Sequence, residues 1–224
     1  MTDLGNAERF VHRYGNDFRF CAELGWFRWD GRRWLLLGEE PRALPPEVMQ
    51  ALFATMRAIK NEAQLVRASG ERPETPPYLA GEALAAFERE HAAKMDFVVD
   101  FKRNHPVMYS DKLAEWARSS EAAGKIAAAG ALAKSMTALV ANVGDFDRER
   151  MAINVLNGTL RLEQARRKRP PEEVAAGKSE WHMAWVLRLD PHNRDDFITK
   201  LADVEYRPGA KSPTHDAFLA TVQP

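Results

Sequence analysis

Two segments contain the lysine and hydroxyl residues that end a phosphate-binding P-loop, but both lack glycines that the loop requires. Gly177-Lys178-Ser179 matches the last three residues of the motif, yet Glu172 occupies the position of its first glycine. Ala133-Lys134-Ser135 lacks both glycines and falls within a predicted helix. We therefore expect neither segment to bind a nucleotide.

Asp145 and Asp147 are spaced like the paired carboxylates that hold divalent metal ions in nucleotidyl transferases. Such a site also needs a rigid strand and a third carboxylate to position two metals. The pair instead follows Gly144 and precedes the charged residues 148–150, which favours loop and cap residues. A nucleotidyl transferase is kept as an alternative hypothesis, which metal-dependent primer synthesis would test.

Histidine and cysteine residues form no catalytic or metal-binding pattern in the sequence. His182, His192 and His215 lack the spacing of metal ligands, and His215-Asp216 has no nucleophile candidate nearby. Cys21 is the only cysteine, so a disulfide framework and a cysteine zinc site are excluded. The sequence therefore predicts no catalytic residue, metal or cofactor in this chain.

Residues suited to nucleic-acid contact lie on two predicted hairpins. The first combines an aromatic platform with cations, as single-strand-binding proteins do, and comprises Trp26, Arg28, Arg32 and Arg33. The second carries Arg161 and is followed by a basic tract, which comprises Arg166, Arg167, Lys168 and Arg169. The alternative for the tract is an exposed, mobile loop that keeps the protein in solution.

The first hairpin is predicted from Asp30-Gly31, which separates two aromatic and aliphatic runs and favours a two-residue turn. That turn places Arg28 opposite Arg33. Two facing arginines are unfavourable unless an anion or an acidic side chain lies between them. A neighbouring carboxylate, simple solvation and a bound phosphate all remain open as interpretations.

The second hairpin is predicted from Asn157-Gly158. A turn at these two residues pairs Asn154 with Arg161. It also places four apolar residues on the other face, which we expect to be buried: Ile153, Val155, Leu160 and Leu162.

Size and composition limit the classes of protein to which the chain can belong. Its 224 residues, 45% of them hydrophobic, can form one large domain or two small ones. Lys and Arg total 32, as do Asp and Glu, so the formal charge of zero argues against a dominant nucleic-acid-binding surface. Without a signal peptide or an apolar run of 18 residues, we expect a soluble, cytoplasmic protein that does not enter a membrane.

The remaining patterns predict an α+β fold. Apolar spacing indicates a short helix capped by Thr2 or Asp3 and an amphipathic helix from Pro46 to Ser69-Gly70. It also indicates a helix with apolar positions from 84 to 101 that runs until His105-Pro106, and further helices at 111–118 and 121–141. The helix at 121–141 is rich in alanine and glycine, which favours close packing. Strands are predicted at 181–189 and 197–206, and a last helix after Ser212-Pro213.

We predict a single domain in which a helical block is combined with a small, mostly antiparallel sheet made from the N- and C-terminal hairpins. Its parts are an N-terminal helix and hairpin (1–40), the helical block (45–142), a β-rich part (150–210) and the start of a linker (211–224). The chain stops inside its last predicted helix, so we expect a fragment of a longer protein. A connector at Glu71 to Pro77 is expected between two of the helices.

Four segments occur in an order that is typical of one family. They are the opening residues 2–9, Trp29-Asp30-Gly31-Arg32-Arg33-Trp34 as a W-x-G-x-x-W hairpin, residues 153–160 as an N-V-x-N-G-T-L segment, and Ile198-Thr199-Lys200 followed by Val204, Tyr206 and Phe218-Leu219. Together they resemble the domain that precedes the superfamily 3 helicase in phage, plasmid and poxvirus primase-helicases.

This resemblance implies a non-catalytic connector in DNA replication. An archaeo-eukaryotic primase would lie upstream, and a hexameric, ATP-driven DNA helicase downstream would bind the ATP and Mg²⁺. The connector would support homo-oligomer assembly and present single-stranded DNA to its own helicase domain. The alternative is a protein-interaction scaffold that contacts no nucleic acid, which the zero net charge favours.

Overall fold

A computed structural model describes residues 1–38, 40, 43–68, 80–92, 96–103, 105–214, 217 and 221. The chain divides into two compact units. The first, here called the helical unit, comprises Met1–Arg28 and Leu36–Ala141. The second, the ribbon unit, comprises Trp29–Leu35 and Asn142–Pro224. The boundary at 141 lies within one residue of the predicted end of the helical block.

Six α-helices and eight β-strands are formed in the described part of the chain. The helices are α1 (Asp3–Tyr14), α2 (Pro46–Ala68), α3 (Gly81–Ala92), α4 (Tyr109–Ser120), α5 (Ala123–Ala133) and α6 (Pro171–Ala175). The strands are β1 (Phe18–Cys21), β2 (Gly25–Trp29), β3 (Trp34–Leu37), β4 (Val98–Lys102), β5 (His105–Met108), β6 (Ala152–Val155), β7 (Gly158–Lys168) and β8 (Trp181–Asp190).

The strands form three small sheets, with the orders β1-β2-β3, β4-β5 and β6-β7-β8. Pairings within them are antiparallel wherever the register is defined. The predicted α+β class is therefore confirmed. The two predicted hairpins nevertheless belong to separate sheets, not to one shared sheet.

The core of the helical unit forms where α2 buries its apolar stripe. Val48, Leu52, Met56, Ile59 and Ala63 are all buried, as their spacing of three and four residues predicts. The N-terminus of α1 is capped by Thr2, whose hydroxyl accepts the N–H of Gly5 at 3.0 Å, which confirms the predicted cap.

The alanine-rich helix α5 packs against α1 and α2, in agreement with its small residues. A side chain at Gly130 would meet Leu44 Cδ1 at 2.8 Å and Leu52 Cδ1 at 3.1 Å, so glycine permits this approach. The helix ends at Ala133 and is therefore shorter than the predicted helix, which runs to residue 141. Residues beyond it bind to β1: Phe20 N–H donates to Leu139 O at 2.7 Å, and Ala141 N–H donates to Phe20 O at 2.9 Å.

The prediction of a continuous helix over 84–101 is wrong. The described helix α3 ends at Ala92, and β4 (Val98–Lys102) pairs with β5 (His105–Met108) as two antiparallel strands. Val98, Val99 and Phe101 are residue types that favour strands over helices. The Asp96 carboxylate also binds the start of α4, where it accepts the Ser110 N–H at 2.9 Å and the Ser110 hydroxyl at 2.5 Å.

Two strand predictions also differ from the structure. No strand forms over 197–206, a segment that instead makes single backbone hydrogen bonds, such as Leu156 N–H to Val204 O at 2.8 Å. The basic tract continues β7 as far as Lys168, so its predicted loop conformation is wrong.

Several predictions fall on residues that the structure does not describe. The connector Glu71 to Pro77 and the helix end at Ser69-Gly70 lie outside the described residues. The same is true of His215-Asp216 and of three apolar positions of the last predicted helix, which are Phe218, Leu219 and Val222. Residues 213, 214, 217 and 221 are helical, as the predicted last helix requires.

Candidate nucleic-acid interface

The tip of the first hairpin is built by the Asp30 carboxylate. Its Oδ1 accepts the N–H groups of Arg32 at 2.8 Å and Arg33 at 2.9 Å, and Asp30 N–H donates to Arg33 O at 3.1 Å. The turn therefore lies at Gly31-Arg32, and Gly31 supplies the φ of +96° that it needs. The predicted turn at Asp30-Gly31, which places Arg28 opposite Arg33, is wrong because this carboxylate binds the loop N–H groups.

The four candidate residues of this hairpin differ in their access to a ligand. Arg28 and Arg32 are exposed, whereas Arg33 is half-buried and lies 3.5 Å from the Asp30 carboxylate. Trp26 is 1% exposed and meets Phe10 edge-on, with ring centres 6.3 Å apart. Its ring packs in the core of the helical unit, so it offers no stacking platform to a base.

Trp34 holds the hairpin tip within the ribbon unit. Its indole N–H donates to Arg194 O at 2.7 Å, and its ring stacks on Phe197 with centres 5.8 Å apart. Its backbone N–H donates to Ile198 O at 2.9 Å. The Asn154 side chain adds a further bond, since its Nδ2 donates to Arg32 O at 2.8 Å. The bond from Asn154 to Arg32 thus joins the two predicted hairpins, although they share no sheet.

The turn of the second hairpin lies at Leu156-Asn157, because Val155 pairs with Gly158 and Asn154 with Thr159. The predicted pairing of Asn154 with Arg161 is therefore wrong. The Asn157 side chain instead binds the backbone of Tyr206. Its Nδ2 donates to Tyr206 O at 2.9 Å, and its Oδ1 accepts Tyr206 N–H at 2.9 Å. Gly158 begins β7 with a φ of +153°.

We expect Gly158→Ala to lower the free energy of unfolding by about 1–3 kcal/mol, because the new Cβ must displace a neighbouring backbone. That Cβ would lie 2.4 Å from Asp190 O. Gly177→Ala is the matched control: Gly177 also has a positive φ, of +85°, but nothing lies within 4 Å of the added atom. Urea denaturation of both variants measures the difference, and equal losses would contradict this account of Gly158.

The face of the β6-β7-β8 sheet that we expected to be buried is largely open. Ile153 is 61% exposed, whereas Asn154 and Thr159, which point to the opposite face, are buried. The Thr159 hydroxyl donates to Asn154 Oδ1 at 2.6 Å, so this buried polar pair is satisfied. The prediction of a buried apolar face is therefore wrong at Ile153.

Arg161 is surrounded by carboxylates and carries no free charge toward a phosphate. It forms ion pairs with Asp196 at 2.6 Å, with Asp190 at 3.1 Å and with Glu149. Burial lowers the pKa of the guanidinium, but its hydrogen bond to Asp196 and the three negative charges outweigh that effect and raise the pKa. A site with three carboxylates beside one arginine repels a phosphate.

The basic tract lies at the outer end of the β7-β8 ribbon, where β7 has β8 as its only paired strand. Arg166 and Arg167 are exposed and form no ion pair within the described residues. Lys168 pairs with Glu180 at 2.9 Å and Arg169 with Glu173 at 2.8 Å. Lys178 and Arg169 together lower the pKa of the Glu173 carboxyl group.

The segments that could suggest catalysis serve local structure. Asp145 accepts the Asn142 N–H at 2.8 Å, and Asp147 accepts the Thr199 N–H at 2.9 Å and the Thr199 hydroxyl at 2.6 Å. Their predicted role as loop and cap residues is confirmed. Lys178 of the P-loop-like segment pairs with Glu173 at 3.1 Å. The His192 ring Nε2 lies 2.8 Å from Val155 O.

The described residues contain neither a candidate metal-binding group nor a candidate membrane span. No three histidine, cysteine or carboxylate side chains in that part of the chain are grouped so that they could hold a metal ion. No helix found there combines the length and the apolar character needed to cross a membrane.

Sequence reasoning did not identify the aromatic residues of β8 as candidates for binding. The strand predicted at 181–189 contains Trp181 and Trp185, and both are exposed on one face of the ribbon beside the basic tract. Alternation of polar and apolar residues identifies a strand but does not show which of its faces is covered. In the sequence, this binding surface could have been recognised from two tryptophans that lie close to a basic tract.

Comparison with known proteins gave one match. A family model with the description "D5 N terminal like" matches residues 7–224, which is nearly the whole chain. No curated protein and no solved structure is detectably similar to the chain.

Proposed function

The chain belongs to the D5 N terminal like family, the N-terminal domain that precedes the superfamily 3 helicase in D5-like primase-helicases, and from this premise we propose that it is a non-catalytic accessory domain. In a phage- or plasmid-type replication protein of the cytoplasm, it supports assembly into a hexamer and guides single-stranded DNA to its own helicase domain. That helicase domain binds the ATP and Mg²⁺.

The family match over residues 7–224 carries this proposal, and the distribution of exposed cations supports its DNA-guiding part. Arg28 and Arg32 lie exposed on the first hairpin, and Arg166 and Arg167 lie exposed on the β7-β8 ribbon. Exposed arginines can bind the phosphates of any sequence, which suits a domain that passes a strand along.

We expect the double variant Arg28→Ala/Arg32→Ala to bind single-stranded oligonucleotide more weakly than the wild type. Each lost phosphate contact should reduce the slope of log affinity against log salt by about one. Fluorescence anisotropy with a labelled oligothymidine, at several salt concentrations, measures both quantities.

Arg207→Ala is the control for the change in charge, because exposed Arg207 is paired with Glu205 at 3.1 Å. It should bind like the wild type. Equal affinity of the double variant and the wild type would exclude the first hairpin from the DNA path.

A scaffold that contacts no nucleic acid is the second candidate, and the zero net charge favours it. Light scattering combined with the anisotropy measurement distinguishes the two. Self-association of a chain that has no affinity for DNA would select the scaffold.

A further inference from the structure

The outer half of the β7-β8 ribbon presents aromatic and cationic side chains on one face. Trp181, Met183 and Trp185 alternate along β8, and all three are exposed. Their cross-strand partners on β7 are Lys168, Arg166 and Gln164, in that order. These six residues are here called the ribbon platform.

Such a surface is unusual for a protein face that meets only water. Tryptophan contributes a large apolar area, and contiguous exposed apolar patches mark binding sites in soluble proteins. Trp185 is 58% exposed, and no ring contact to it occurs within the described residues. Its indole can therefore accept a planar group.

The charges around the platform indicate what kind of ligand it suits. The Arg166 guanidinium lies 5.0 Å above the centre of the Trp181 ring and forms no ion pair with any described carboxylate. Arg167, its neighbour on the opposite face, is also exposed and unpaired among those residues. Lys168, which pairs with Glu180, lies 5.9 Å from the same ring. An arginine without an ion pair to any described carboxylate, on the same face as the open Trp185 ring, suits a polyanion that carries flat, apolar groups.

We propose that the ribbon platform binds single-stranded DNA, with a base stacked on Trp185 and a neighbouring phosphate held by Arg166. This inference rests on the proposed DNA-guiding function and names its site. Sheet faces that carry aromatic side chains stack bases in other single-strand-binding modules, and such stacking tolerates any sequence.

A protein partner would suit this half of the ribbon less well. The cores of protein interfaces are depleted of charge, apart from arginine, whereas this face carries Lys168 beside its aromatic residues. Leu187 and Leu189 lie on the same face nearer to β6, opposite Leu162 and Leu160, where cross-strand cations are replaced by aliphatic residues. This aliphatic half provides the control for the test.

The test measures oligothymidine affinity of the 224-residue chain by fluorescence anisotropy at about 50 mM salt, where phosphate contacts are strong. Trp185→Ala should weaken binding about tenfold, or about 1.4 kcal/mol, because it removes the ring on which a base stacks. Trp185→Phe should retain most of the affinity because it keeps an aromatic ring. Leu187→Ala, at a residue with 55% exposure on the same strand and face, should bind like the wild type.

Each other outcome overturns the inference in a distinguishable way. If the wild type binds and Trp185→Ala binds equally well, the platform is wrong but the proposed function stands. If the wild type does not bind single-stranded DNA, the platform and the DNA-guiding part of the proposed function both fail. If Leu187→Ala loses as much affinity as Trp185→Ala, or Trp185→Phe as much as Trp185→Ala, base stacking on this ring is excluded. Circular dichroism melting curves verify that each variant is folded, as their exposed positions lead us to expect.

Discussion

Trp34→Ala should lower the free energy of unfolding by about 3–5 kcal/mol, the typical cost of truncating a fully buried tryptophan. The variant loses the indole hydrogen bond to Arg194 O and the stacking on Phe197, and it leaves a cavity in the ribbon unit. Urea denaturation followed by far-ultraviolet circular dichroism measures the loss.

Two further variants separate the contributions at this position. Trp34→Phe keeps an aromatic ring but leaves the Arg194 carbonyl without this donor, which should cost about 1–3 kcal/mol. Leu35→Ala changes an exposed neighbour on the same strand and should alter stability by less than about 1 kcal/mol. A Trp34→Ala variant as stable as Leu35→Ala would show that the hairpin tip is not anchored as described.

Arg161→Met should lower the free energy of unfolding by about 3–5 kcal/mol, because it removes the charge that compensates three carboxylates. The Arg161 side chain is only 15% exposed, so solvent screens its ion pairs less than those at the surface. Asp196 is buried to a similar degree, whereas Glu149 is more exposed and should contribute less. The same denaturation measurement applies.

Arg188→Met is the matched control for Arg161, because Arg188 also binds Asp190 but is mostly exposed. It should destabilise the chain much less than Arg161→Met does, because solvent screens exposed ion pairs. The double variant Arg161→Met/Asp196→Asn should recover part of the loss, since it removes one of the unpaired charges. A double variant that is less stable than Arg161→Met alone would contradict this electrostatic account.

Features that depend on neighbouring residues in the sequence could be predicted well. The buried stripe of α2 follows from side chains that recur every three or four residues, and the Thr2 cap from the preference of helix N-termini for hydroxyl groups. The α+β class follows from the alternation of both kinds of pattern. Each of these depends on a few consecutive turns or residues.

The register of the two hairpins required information that the turn motifs lack. Asp30-Gly31 and Asn157-Gly158 located the turns within one residue, but not the pairs that close them. The Asp30 carboxylate binds two loop N–H groups, and the Asn157 amide binds Tyr206, which is 49 residues away. A polar side chain that binds backbone can move a turn by one position, and only the folded chain shows its partner.

The sequence was likewise insufficient to predict which residues of the candidate site are accessible. Trp26 and Trp185 both lie near arginines in the sequence, but Trp26 is covered by α1 and β1 whereas Trp185 remains open. Arg161 and Arg166 are equally basic in the sequence, yet only Arg161 folds among carboxylates. Access to a ligand depends on contacts between distant segments, which composition and spacing do not reveal.

Trp34 belongs to the ribbon unit, although its segment, Trp29–Leu35, lies far from the rest of that unit in the sequence. More than a hundred residues separate this segment from Asn142, where the rest of the unit begins. A protein cut at residue 141 would therefore separate Trp34 from Phe197: the first piece would contain the whole helical unit, but the second would lack part of the ribbon unit. In a truncation at that position the ribbon unit would be incomplete, and its failure to fold would be mistaken for a loss of binding. Functional mapping of this protein consequently calls for point substitutions in the intact chain.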